Sequence, residues 1–176
     1  MESTNMGFME AVNTCFNKAF VFKGRARRSE YWWWALFSLL IGVGISIVEE
    51  VIPEDNSLLT ILYGLMLIAG GIYLSIATMA VTIRRLHDIG RSGWWYGAEI
   101  IAGIIWYIWL IVEVVTLIAI ADTDVDPEFI LGALLSKMII SAIPFIIYNI
   151  VLLVWYCTDS QPGTNKYGEN PKGITE

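Results

Sequence analysis

Charge is scarce in this sequence. Charged residues make up 16% of it, against about 25% in an ordinary soluble domain. Residues 31–48 and 56–83 contain none at all. Such runs exclude a soluble globule, because about 20 apolar residues at 1.5 Å rise cross a ~30 Å hydrocarbon core. Two more apolar stretches, 94–120 and 129–157, are broken only by Glu99, Glu113 and Lys137. The expected fold is an all-α integral membrane protein with four transmembrane helices, at approximately 31–50, 57–83, 94–120 and 129–157. An interfacial helix over 6–21 and a tail over 158–176 complete a single membrane domain, 1–176.

Cysteine and histidine are nearly missing too. Cys15 and Cys157 both fall on the side assigned below to the cytoplasm, where thiols stay reduced, so no disulfide is expected. His87 is the lone histidine, a poor basis for a metal site. No zinc-ligand spacing, P-loop or dinucleotide fingerprint occurs, and no cofactor or nucleic-acid partner is expected. The first apolar run begins at Tyr31 and is too long for a signal core, so no cleavable signal peptide is expected.

Basic residues are absent from two of the loops. Loop 49–56 carries Glu49, Glu50, Glu54 and Asp55, and loop 121–128 carries Asp122, Asp124, Asp126 and Glu128. Apart from Lys137, every base lies elsewhere: Lys18, Lys23, Arg25, Arg27 and Arg28 before span 1; Arg84, Arg85 and Arg91 between spans 2 and 3; Lys166 and Lys172 after span 4. By the positive-inside rule, both termini and the 84–93 loop face the cytoplasm, and the acidic loops face outward. The net charge of −6 hides this segregation.

What the chain does have is apolar periodicity and paired aromatics. Phe8, Val12, Cys15, Phe16, Ala19 and Phe20 recur at helical spacing, which fits an amphipathic helix. It lies either along the interface or packed on the loops. GRARRSEYWWW (24–34) and GRSGWWY (90–96) each open a two-span hairpin, through duplication or through independent selection for the same interface chemistry. Ser29 and Ser92 are placed to cap the helices, and Trp32, Trp33, Trp94 and Trp95 to anchor at headgroup level. Gly42 and Ser46, Gly71 and Ser75, Ala98 and Ala102, and Gly132 and Ser136 read as packing seams. Pro144 is expected to kink span 4.

Ionised groups near a span centre cost about 2.5–3.5 kcal/mol each on insertion scales. Glu113 and Lys137 are equidistant from a turn centred near Val125, so they are expected to pair. By the same symmetry Glu99 lies near the level of Asn149. The pair either fixes helix register or, with Glu113, serves a proton or ion path; snorkelling to the outer surface is the third reading. In RRLHDIGRSGWW (84–95), Asp88 follows Arg84 at helical ion-pair spacing, and Gly90 is a natural helix stop. The tail, DSQPGTNKYGENPKG, has turn composition, and Tyr167 between two glycines points to a compact loop folded onto the basic rim.

Three blocks, FKGRARRSEYWWW (22–34), RRLHDIGRSGWW (84–95) and PGTNKYGENP (162–171), resemble the signature of a bacterial inner-membrane family called domain of unknown function 805, the YhaH- and YhaI-like proteins. The resemblance covers nearly the whole chain. It implies a small multi-span protein of the bacterial cytoplasmic membrane and supplies no activity, substrate or catalytic residue. Because the blocks coincide with the three cytoplasmic segments, they are expected to share one surface.

Three functions compete. The leading one is a non-enzymatic membrane component whose rim of Arg25, Arg27, Arg28, Arg84, Arg85, His87, Asp88 and Arg91 binds anionic lipid headgroups or a membrane protein partner. A second is a small transporter or channel component using Glu99, Glu113, Lys137 and Asn149, which would require a homo-oligomer. The third is an enzyme acting on a lipid headgroup, with His87 and Asp88 as acid and base and the arginines holding phosphate.

Overall fold

Five helices organise the computed structural model, which describes residues 6–51, 57–120 and 126–173. In chain order they are α1 (Phe8–Asn17), α2 (Arg28–Val51), α3 (Ser57–Asp88), α4 (Trp94–Ile120) and α5 (Pro127–Cys157). No strand occurs among the described residues. Helices α2 to α5 are each long and apolar enough to cross a membrane. The chain is an all-α membrane protein with four transmembrane helices. Glu54, Asp55, Asp122, Asp124 and Val125 lie outside the described residues.

The chain divides into two compact units, Met1–Gly93 with Tyr156–Glu176, and Trp94–Trp155. In the first, burial along α3 changes abruptly. None of residues 58–76 is buried, whereas Ala77, Ala80, Val81, Thr82, Arg84, Arg85, Leu86 and Asp88 all are. The unburied stretch is about 28 Å long at helical rise, close to the thickness of a hydrocarbon core. The buried residues of α3 all gather at its far end. That end belongs to a headpiece.

α1 is amphipathic, and its buried face of Ala11, Val12 and Cys15 packs on α2 and α3. The core there joins Val12, Cys15, Ala19, Ala26, Trp34, Ala77 and Val81, with Phe8, Phe16, Tyr31, Phe37, Tyr73 and Leu74 against it. Trp34 is 1% exposed, and its indole N–H donates to Thr78 Oγ1 at 3.0 Å. A buried indole needs such a partner. Trp32 and Trp33 beside it remain exposed, so the three tryptophans divide between exposed and core positions.

The helix termini correct one expectation and explain another. The Arg27 carbonyl accepts the Tyr31 N–H at 3.3 Å, so Arg27 is the cap residue and Ser29 lies inside the first turn of α2. α3 ends with Arg91 N–H on Leu86 O (2.9 Å) and Gly90 N–H on His87 O (3.0 Å), the paired bonds of a Schellman motif. Gly90 supplies the positive φ of 75° that this motif needs.

The second unit is an antiparallel hairpin of α4 and α5. Trp106 donates to Ser141 Oγ at 3.1 Å and stacks on Phe145. Trp95 packs against Tyr148 and Trp155, and the Tyr148 hydroxyl donates to Trp95 O at 2.6 Å. Lys137 Nζ lies 3.0 Å from Glu113 Oε2. α5 runs through Pro144 without a break. An apolar cavity of about 620 Å³ opens between Ala98, Ala102, Trp106 and Pro144, Phe145. Gly42, Gly71 and Gly132 are not in close contact within their own units: a Cβ built on any of them meets no atom within 4 Å.

The Glu113–Lys137 pair has a measurable consequence. Lys137→Met alone strands a carboxylate among apolar side chains, whereas Lys137→Met with Glu113→Gln removes both charges. The double variant is expected to melt at a higher temperature in detergent than the Lys137→Met single variant. Equal melting would show that the pair contributes nothing to the hairpin.

Candidate functional site

The last turn of α3 puts two adjacent arginines on different faces of the helix, and each goes to a different carboxylate. Arg84 is 2% exposed and bonds Glu30 Oε1 through NH2 at 2.9 Å. Its other terminal nitrogen donates to Lys18 O at 2.9 Å and Val21 O at 2.6 Å. Glu30, on the first turn of α2, is itself buried and faces the Cys15 thiol, whose Sγ is 3.9 Å from Oε1. Arg84 therefore ties α3 to α2 and to the chain leaving α1.

Arg85 and Asp88 form the second centre, both 0% exposed. Arg85 NH1 meets Asp88 Oδ2 at 2.5 Å, one helical turn away. Arg25 Nε meets Asp88 Oδ1 at 2.9 Å, and the Ser160 hydroxyl donates to Oδ2 at 2.6 Å. The spacing of Arg84 and Asp88 suggests a pair between them; the structure instead pairs Asp88 with Arg85 and Arg25. Positions three and four apart are both neighbours on a helix, and Glu30 claims Arg84.

Two guanidinium groups on one carboxylate leave an excess positive charge, and backbone carbonyls surround it. Arg25 donates to Gly163 O (2.8 Å), Gly168 O (3.2 Å), Gln161 O (2.5 Å) and Asp88 O (3.3 Å). Arg85 donates to Tyr156 O at 3.2 Å, to Ala26 O at 3.4 Å and to Thr158 O. Tyr156 lies in the last turn of α5 and Thr158 just beyond it, so Arg85 meets the negative end of that helix's dipole. Arg28 adds a 3.4 Å bond to Cys157 O.

The tail is thereby folded against α3. His87 stacks on Tyr167 with ring centroids 3.8 Å apart, and its Nδ1 is 3.2 Å from Gly24 O. Asn165 donates to His87 O at 2.9 Å, and Gln161 N–H to Asp88 O at 3.0 Å. Arg27 donates to Pro171 O at 2.8 Å. A Cβ on Gly90 would come within 2.7 Å of Gln161 Oε1, so this corner admits only glycine without rearrangement.

The structure thus brings all three sequence blocks together and sorts their residues. Arg25, Arg84, Arg85 and Asp88 are buried in internal bonds; Arg27 and His87 are half-buried; Arg28 and Arg91 are exposed. His87 and Asp88 have separate partners and do not face each other as acid and base. Trp94 and Trp95 are exposed on the hairpin, as is Lys137, while Glu99, Glu113 and Asn149 are half-buried there. Asn149 bonds its own helix at Phe145 O, 2.9 Å. Among the described residues, no group of three His, Cys, Asp or Glu side chains is placed to hold a metal ion.

Sequence reasoning missed Glu30, Cys15, Ser160 and Gln161. Glu30 had a signal, being the only acid among the bases of 22–34. Carbonyl acceptors in the tail leave none, because every residue has one.

The family described as "Protein of unknown function (DUF805)" matches residues 19–169. This chain belongs to that family. The match takes in the first two blocks of the DUF805 headpiece and most of the third. Among similar proteins, inner membrane protein YhaI of Escherichia coli K12 is 28% identical over 151 residues, 86% of each chain. Inner membrane protein YhaH of the same strain is 24% identical over 155 residues, 86% of this chain and 87% of that one. No solved structure matches.

Burial also sets the chemistry of Cys15 in the DUF805 headpiece. Its thiol is pushed from 9.0 up to about 12, first by burial and then by the Glu30 carboxylate, against the pull of Arg84 and Lys18. A raised thiol pKa means the unfolded chain loses its proton first. Stability from this group is complete below pH 9 and falls as pH rises toward 12. Cys15→Ala is expected to flatten that alkaline decline in Tm measured from pH 8 to 11; an unchanged slope would contradict it.

Proposed function

We propose that this chain is a non-enzymatic component of the bacterial inner membrane whose headpiece presents a basic surface to anionic lipid headgroups. One observation carries the reading: the residue types that could do chemistry are occupied by internal bonds. Asp88 holds two arginines, Glu30 holds Arg84, and His87 lies flat on Tyr167. Exposed on the same unit are Lys18, Lys23, Arg28, Arg91 and Lys166. Bases near a bilayer surface attract anionic lipid by about 1 kcal/mol each. The relatives named as inner membrane proteins and the segregation of bases support a cytoplasmic headpiece, with both termini inside and the acidic loops outside.

Native mass spectrometry of the protein released from nanodiscs of phosphatidylethanolamine and phosphatidylglycerol tests the lipid reading. Bound phosphatidylglycerol should exceed its share of the bilayer, and Arg28→Ala with Arg91→Ala should lower that excess. Retention in proportion to bulk composition would overturn it. For orientation, a cysteine at Asp124 in a Cys157→Ser background should react with an impermeant maleimide only from outside the cell. Reaction only from the cytoplasm would reverse the topology.

A further inference from the structure

We infer that the turn from Lys18 to Lys23 is a membrane-inserting wedge, with Phe20, Val21 and Phe22 entering the bilayer and the two lysines meeting lipid phosphates. The inference rests on the four spans and is independent of the lipid selectivity proposed above.

Three consecutive apolar residues stand exposed here, at 65%, 43% and 36%. An exposed run of this kind is unfavourable in water and marks a binding surface. It is bounded by two exposed bases, Lys18 and Lys23. Apolar residues between lysines match a phospholipid surface: acyl chains for the former, phosphate oxygens for the latter.

The turn is held at a definite depth. Arg84, itself buried, donates to Lys18 O and Val21 O, so the backbone on both sides of Phe20 is fastened to α3. Val21 N–H closes the turn on Lys18 O at 3.0 Å. The Phe20 ring meets Tyr73 edge-on, centroids 5.9 Å apart. Tyr73 lies four residues before Ala77, where α3 passes from its unburied stretch into the headpiece. Tyrosine favours that headgroup boundary. Phe20 is thus aimed at the level where hydrocarbon begins. The burial pattern, the tyrosine and the charge order agree on this depth.

The test places a polarity-sensitive fluorophore on Val21→Cys in a Cys157→Ser background, with Glu169→Cys in the tail as the water-exposed reference. Both proteins are reconstituted into vesicles of phosphatidylethanolamine and phosphatidylglycerol. The label at 21 is expected to be quenched several-fold more by spin-labelled acyl chains than the label at 169, and several-fold less by aqueous iodide. Equal iodide quenching at the two sites overturns the wedge. Shielding at 21 in native membranes but not in pure lipid vesicles also overturns it, and assigns the surface to a protein. Lys18→Gln with Lys23→Gln should raise iodide access at 21; no change removes the lysines from the mechanism.

Discussion

Asp88→Asn is expected to cost the headpiece about 3–5 kcal/mol, the penalty for leaving a buried charge without its partner. The size of the effect follows from what Asp88 holds. Arg25 and Arg85 both converge on it, and all three side chains are 0–1% exposed. Asparagine keeps the shape and one acceptor but removes the charge. Two guanidinium groups would then share a buried site with carbonyl dipoles as their acceptors. In a protein of this size the loss is worth roughly 6–20 °C of Tm. The tail should become sensitive to protease at the same time, since Arg25 and Arg85 bind it through Tyr156, Thr158, Gln161, Gly163 and Gly168. Ser160→Ala, which removes one hydrogen bond to the same carboxylate, should cost only about 1 kcal/mol. A protected tail and an unchanged Tm in Asp88→Asn would show that the carbonyls alone hold the arginines.

Glu30→Gln should be nearly as damaging, and it allows a rescue. Arg84 loses the carboxylate it pairs with while remaining 2% exposed, again a loss of about 3–5 kcal/mol. Adding Arg84→Met removes the stranded charge and fills similar volume, so thermal stability should recover in large part. The rescue is incomplete because methionine cannot donate to Lys18 O and Val21 O. In the double variant the core should hold while the turn after α1 loosens, seen as faster hydrogen exchange at residues 18–23. A double variant no more stable than Glu30→Gln would mean that Arg84 is not destabilising when unpaired.

Much of this fold was readable along the chain. Uncharged runs of bilayer length predict the long helices, and glycine after a helical stretch predicts the stop at Gly90. Both depend on local quantities: transfer free energy per residue and backbone freedom per residue. The headpiece was only partly readable. Clustering of the three blocks with the basic residues points to one shared surface, but an arginine-rich rim follows only if charge is a sign of exposure. Arg25, Arg84 and Arg85 are instead interior. An arginine can be buried wherever acceptors surround it on several sides, and a one-dimensional reading does not count acceptors from other segments.

The tryptophan run makes the same point on the apolar side. Trp32, Trp33 and Trp34 are identical in composition and adjacent in sequence, yet only Trp34 is buried. Helical rotation turns consecutive side chains by about 100°, and α1 and α3 cover one of those directions.

Sequence by itself determined that four helices cross a membrane, because solvation by lipid depends on each residue's own side chain. It also determined on which loops the bases gather. Only the tertiary structure decided which of those bases are structural and which face outward. That outcome depends on where distant carboxylates and carbonyls come to lie, and Glu30, Ser160 and the tail turns reach Arg84, Arg85 and Arg25 only after the chain has folded.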